Sequence, residues 1–143
     1  CGQCLVAHGD LPLLNQSELD HFIREHRAQT APALSIAPDR RGTGSNMMLL
    51  PAQTEFDFCY GEDSFNIHRR NAAAAGLSTR DFKAAGSACD IDELEDLLQL
   101  LMPNWVERAS STLKYLDRSG IGLRLRAVAA GGANTDIQNR EAQ

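Results

Sequence analysis

Arg40 and Arg41 stand beside two glycines in Pro38-Asp39-Arg40-Arg41-Gly42-Thr43-Gly44-Ser45-Asn46, where Thr43, Ser45 and Asn46 add small polar side chains. That composition suits an anion. Guanidinium forks match phosphate or carboxylate oxygens bidentately, and Gly42 and Gly44 permit positive φ and close approach of backbone N–H groups. The other reading is a hairpin turn with solvated arginines. On the loop alone both readings stand, because the segment matches neither the P-loop nor the dinucleotide fingerprint.

Acids at two further places could converge on the same anion. In Leu5-Val6-Ala7-His8-Gly9-Asp10-Leu11-Pro12-Leu13-Leu14, a strand-like apolar run ends in a Gly-Asp turn, and Pro12 prevents immediate ladder pairing. Asp10 is thereby placed at a strand end, where α/β proteins bind ligands. In Ser87-Ala88-Cys89-Asp90-Ile91-Asp92-Glu93-Leu94-Glu95-Asp96-Leu97, two carboxylates alternate just before a helix. Asp92 reads as the helix cap, with Glu95 completing a capping-box-like arrangement, which leaves Asp90 without a structural role. Asp10 together with Asp90, or with Asp92 as the alternative, gives the paired carboxylates that Mg²⁺ takes when phosphates supply its remaining oxygens.

Presenting these groups requires an alternation of strands and helices. Residues 5–7, 33–37 and 45–50 read as buried strands, 56–60 as a further short strand and 82–84 as the last. Asn15 or Ser17 caps a first helix whose apolar face is Leu19, Phe22 and Ile23. A second helix runs over residues 64–75 and stops at Gly76, with Ser64 as its N-cap, a role compatible with phosphate binding at a helix amino terminus. His68 on that helix reads as a surface or capping histidine. Residues 93–102 predict an apolar helix, 104–117 an amphipathic one ended by Gly120, and 121–128 an edge strand with Arg124 and Arg126 facing solvent. Residues 129–143 are small and polar without periodicity and are expected to be disordered. The resulting order, β, α, β, β, β, α, β, α, predicts an α/β domain over residues 1–128.

With 143 residues, 43% hydrophobic and 23% charged, the chain has the make-up of one ordinary domain. It holds no apolar run of membrane-spanning length and no signal-peptide pattern, and a cytoplasmic location is expected. The net charge of −5 argues against nucleic-acid binding, which calls for a basic stripe. Cys1-Gly2-Gln3-Cys4 has redox-motif spacing, but such motifs follow a strand and open a helix, whereas Leu5-Val6-Ala7 is itself strand-like. Cys59, Cys89 and the four histidines show no metal-ligand spacing.

Four segments taken in order carry a resemblance: Gly-Asp-Leu-Pro-Leu-Leu at 9–14, Ala-Pro-Asp-Arg-Arg-Gly-Thr-Gly-Ser-Asn at 37–46, Tyr60-Gly61-Glu62-Asp63-Ser64-Phe65 with His68, and Asp90-Ile91-Asp92 followed by Glu95-Asp96-Leu97. Together they resemble the 2-phospho-L-lactate guanylyltransferase family, also described as phosphoenolpyruvate guanylyltransferase, which serves coenzyme F-420 biosynthesis. The resemblance covers residues 5 to about 98. It implies a nucleotidyltransferase-like, Rossmann-like three-layer α/β/α fold and transfer of GMP from GTP to a phospho-acid with release of pyrophosphate. Carried over by position, it implies Mg²⁺ on Asp10 and Asp90, and an acceptor gripped by Thr43, Gly61 and Ser64, with Arg40, Arg41 and Gly42 adding charge and backbone contacts. A homodimer is also implied.

One departure stands out. The strand, basic loop and helix that hold the guanine nucleotide in this family have no counterpart here, so the chain is expected to be its carboxyl-terminal part. Its parallel sheet would lack the first strands and leave an apolar edge open to pairing. Three function classes therefore remain: the guanylyltransferase, a non-catalytic acceptor-binding or assembly module, and a related cofactor nucleotidyltransferase with another acceptor.

Overall fold

Two short apolar runs become the centre of one sheet. In the computed structural model, which describes residues 2–103, 105 and 110–140, β1 (Gln3–Ala7), β2 (Ala33–Pro38), β3 (Ser45–Pro51) and β4 (Ser78–Asp81) take the order β1-β3-β2-β4. β2 is buried throughout and β3 along all but its last residue, as befits strands covered on both faces. β3 pairs antiparallel with β1 and β2, while β4 pairs parallel with β2. β1, β2 and β4 therefore share one direction and β3 opposes them, so the sheet is mixed where a parallel one was expected.

Alternation along the two central strands builds a core on each face. Leu34, Ile36, Met48 and Leu50 pack with Phe65 and Ala72 of α2 (Ser64–Ala74). Ala37, Met47 and Leu49 pack with Leu11, Phe82 and Phe22, the last from α1 (Gln16–Arg27). Helix, sheet and helix thus form three layers, and each fully buried Phe, Leu or Ile contributes about 1.5–3 kcal/mol to holding them. Polar groups in these layers are paired. Ser35 Oγ lies 2.9 Å from His26 Nδ1 and accepts Gln29 Nε2 at 2.9 Å. Asn15 caps α1 by accepting the N–H of Glu18 at 2.9 Å.

Other local readings change. The fourth strand is Ser78–Asp81 rather than 82–84, because Phe82 is drawn into the α1-side core while its N–H extends the ladder by one bond to Ile36 O, 2.8 Å. Residues 56–60 form no strand; their rings pack together instead, with Phe56 and Phe58 centroids 5.0 Å apart. The N-cap of α2 is Asp63, at φ 58, and Ser64 is the first helical residue.

The chain divides into two compact units, Cys1–Asp90 and Ile91–Gln143, where one domain over residues 1–128 was expected. The second unit is helical: α3 (Leu94–Leu100), α4 (Ser110–Arg118) and α5 (Ile121–Arg140). The cap of α3 is Glu93 rather than Asp92, and Asp96 rather than Glu95 reaches back, accepting the Glu93 N–H at 2.9 Å. The expected edge strand over 121–128 is instead the first part of α5. Helical spacing buries Leu125 and half-buries Ile121 while leaving Leu123 73% exposed, an asymmetry that a period-2 strand would not produce. Residues 129–140, expected to be disordered, continue α5, and 141–143 lie outside the described residues, as do 104 and 106–109 of the expected 104–117 helix. Among the described residues no helix is long and apolar enough to cross a membrane.

Candidate functional site

Because β1, β2 and β4 run the same way, their carboxyl ends and the start of β3 meet at one end of the sheet, the position where open α/β sheets bind ligands. The 39–44 loop is there, closed by its own acid. Asp39 Oδ1 accepts the Thr43 N–H at 2.8 Å, its Oδ2 lies 3.4 Å from Thr43 Oγ1, and its N–H donates to Gly44 O at 3.1 Å. Gly42 takes φ 76 inside this turn, a conformation that favours glycine. The result leaves Arg40, Arg41, Gly42 and Thr43 exposed. Thr43 O accepts the Phe65 N–H at 2.9 Å, and Gly61 O accepts the Ser64 N–H at 3.2 Å. These two bonds bring Thr43, Gly61 and Ser64 to the amino end of α2.

A β-bulge directs the next two residues. Ala37 pairs with Met47 but Pro38 pairs with Ser45, so Asn46 is the extra residue. The bulge reverses the alternation: Ser45 faces α2, opposite to Met47, and Asn46 turns toward the other layer. Ser45 Oγ lies 2.9 Å from His68 Nδ1 and accepts Ser64 Oγ at 3.4 Å. The Ser64 hydroxyl is therefore buried against Ser45 rather than turned to solvent. Asn46 O accepts the His8 N–H at 2.9 Å, and Asn46 Nδ2 donates to Ser87 O at 3.0 Å. Asn46 thereby ties the turn that carries Asp10, through its backbone carbonyl, to the segment that carries Asp90, through its buried side chain.

Glu18, from the first turn of α1, fixes that second segment. Its carboxylate accepts the N–H groups of Gly86 and Ser87, and Gly86 sits so close that an added Cβ would lie 2.5 Å from Leu13 O. Asp10 is exposed and Asp90 half-buried. The described residues hold no group of three or more His, Cys, Asp or Glu able to bind a metal. Asp10 and Asp90 carry carboxylates, the donor class that Mg²⁺ takes alongside phosphate and water, on two segments that Asn46 joins. The alternative ligand, Asp92, belongs to the second unit, where its N–H donates to Asp96 Oδ2 at 3.2 Å.

A cavity of about 530 Å³ opens beside the loop, and its charged lining is Asp39 with three cations, Arg40, Arg41 and Lys83. A larger one, about 1010 Å³, lies at the other end of the sheet among Pro32, Pro51 and Gly76 and has only carboxylates, Glu55 and Asp57, as charged lining. The sequence placed Asp10 and the 38–46 loop at strand ends, and the family resemblance added Gly61 and Ser64 to them. The sequence reading gave Asn46 no separate role, took His68 for a surface or capping group, where the structure buries it fully, and passed over Glu18 and Lys83.

The family model described as "Guanylyl transferase CofC like" matches residues 2–132. The chain is 29% identical over 96 residues to a phosphoenolpyruvate guanylyltransferase of Thermobaculum terrenum, covering 67% of this chain and 41% of that protein. It is 34% identical over 95 residues to one of Chloroflexus aurantiacus, with 66% and 45% covered. It is 33% identical over 98 residues to a 2-phospho-L-lactate guanylyltransferase of Methanothrix thermoacetophila, with 68% and 41% covered. The chain thus spans less than half the length of each of these relatives.

Proposed function

The chain belongs to the family of CofC-like guanylyl transferases, and on that footing we propose that it acts in transfer of GMP from GTP to a small phospho-acid, holding the acceptor at the 39–44 loop. An acceptor phosphate oxygen attacks the α-phosphorus of GTP, the bond to the bridging oxygen of the β-phosphate breaks, and pyrophosphate leaves. Such a transfer asks the protein for positioning and charge neutralisation, not for a covalent nucleophile. Thr43 and the Gly61 turn bind the acceptor phosphate and carboxylate, and Arg40 and Arg41 supply fixed positive charge beside them. Ser64 contributes through the amino end of α2, since its hydroxyl is engaged by Ser45. Asp10 and Asp90 would hold Mg²⁺, which when bound neutralises phosphate charge. Phosphoenolpyruvate, 2-phospho-L-lactate and 3-phosphoglycerate share the phosphate and carboxylate this site reads. The product class is an activated phospho-acid for coenzyme F-420 assembly, and a cytoplasmic location fits an enzyme drawing on GTP.

The observation that carries this reading is the convergence, at one sheet end, of Thr43, Gly61 and Ser64 with two acidic segments tied through Asn46. The test is pyrophosphate release from GTP with Mg²⁺ and each of the three acids, with the guanylylated acid identified by mass. Product that disappears in Asp10→Asn and Asp90→Asn supports the proposal. Full turnover in both variants removes the metal assignment, and neither product nor acceptor binding with any acid overturns the function. The alternative, acceptor binding without transfer, predicts saturable acceptor binding and no pyrophosphate.

A further inference from the structure

His68 takes no part in the transfer chemistry, yet it sits where the acceptor-holding segments meet. It is fully buried. Its Nε2 accepts the backbone N–H of Cys59 at 2.9 Å. A backbone amide can only donate, so Nε2 carries no proton and the neutral ring holds its proton on Nδ1. Nδ1–H then donates to Ser45 Oγ, 2.9 Å away, the same oxygen that accepts Ser64 Oγ at 3.4 Å. Cys59 leads into the Gly61 turn, Ser45 follows Thr43 by two residues, and Ser64 begins α2, so one imidazole links all three. The rings of Phe56, Phe58 and Tyr60 surround it, with centroids 5.9, 6.4 and 5.1 Å away. Among its described contacts the titratable group is the Tyr60 phenol, which burial and the nearby Cys4 push above its ordinary value; the others are the Ser45 hydroxyl, two phenyl rings and the amide of Cys59, whose own thiol lies 4.0 Å from Asn71 Nδ2.

We propose that His68 is a positioning residue of the acceptor site, which as the neutral Nδ1–H tautomer sets the spacing of Thr43, the Gly61 turn and the start of α2. The inference rests on the acceptor reading above. Protonation removes the Nε2 acceptor, leaves the Cys59 N–H facing a second donor and loosens the Gly61 turn. Burial lowers the His68 pKa, keeping the ring in the competent form near neutral pH.

The test titrates phosphoenolpyruvate with Mg²⁺ into the chain by calorimetry, with urea unfolding measured alongside. Gln at 68 places an amide oxygen near the Nε2 position and keeps the Cys59 bond, whereas Asn places an amide N–H near Nδ1 and keeps only the Ser45 bond. The expected result is that His68→Gln binds within about threefold of wild type and His68→Asn about tenfold more weakly, because only Asn releases the Cys59 N–H that leads into the Gly61 turn. Lowering the pH should weaken wild-type binding more than His68→Gln binding, since the ligand's own ionisation affects both equally. Unchanged affinity in a folded His68→Asn overturns this inference alone, whereas no phosphoenolpyruvate binding by wild type overturns the acceptor reading and this inference with it. Should Asn at 68 unfold the chain, ¹⁵N shifts of the wild-type ring decide: they should report a bare Nε2 and move on saturation, and unmoved shifts under saturating ligand contradict the proposal.

Discussion

Asp39 explains how a loop rich in cations keeps one shape: its carboxylate is spent on Thr43 N–H and hydroxyl, which closes the turn and leaves the arginines outside it. Asp39→Ala should therefore cost only about 0.5–1.5 kcal/mol of stability, as an exposed hydrogen-bonded site does, while weakening phosphoenolpyruvate binding several-fold; urea unfolding and calorimetry read the two effects separately. Asn46 is the opposite case. Its side chain is buried and bonded, so Asn46→Ala should cost about 1–3 kcal/mol by leaving Ser87 O unsatisfied, and chemical denaturation would show it. The placement of the Gly-rich basic loop between two buried strands, and of Asp10 in the turn after β1, was legible because apolar runs end there in Gly, Pro and polar residues. Asn46 and Glu18 were not, because each works through a partner 41 to 69 residues away, a relation that leaves no periodic trace.

Elements with a strong apolar period were also legible: α1, β2 and β3 form close to where periodicity puts them. β4, Ser-Thr-Arg-Asp, is largely exposed and has no apolar signature; backbone pairing with β2 creates it. Residues 121–128 mislead in the other direction, because Leu and Arg alternate there while the residues that become buried follow helical spacing. The bulge at Asn46 changes which layer Ser45 faces, and nothing in a period-2 pattern foretells it. The contact at Gly86 yields an element-level prediction. Gly86→Ala drives a Cβ against the Leu13 carbonyl oxygen and Glu18 Oε2, so it should destabilise the fold by about 1–3 kcal/mol and loosen the Asp90 segment from α1. Thermal unfolding would register the first effect, and a weaker Mg²⁺ dependence of acceptor binding the second.

Across the first unit, two histidines are buried neutral, one in each helical layer: His26 beside Ser35 and His68 beside Ser45. Burial lowers both pKa values, with Arg27 adding to the effect at His26. The unfolded chain therefore takes up protons before the folded one does as pH falls. Their contribution to stability is fully present above about pH 6.5, the ordinary imidazole value, and is lost as pH drops toward the folded pKa values. Urea midpoints from pH 8 to 5 should decline below about 6.5, and His26→Gln should flatten part of that decline. Whether the carboxyl end of this sheet holds a phospho-acid is decided by titrating phosphoenolpyruvate with Mg²⁺ into the ¹⁵N-labelled chain. Saturable amide shifts gathered at Thr43, Gly61 and Ser64, and weakened in Asp10→Asn, are the predicted result; a folded chain whose amides stay unmoved at millimolar ligand, or move only around the cavity at the other end of the sheet, would contradict it.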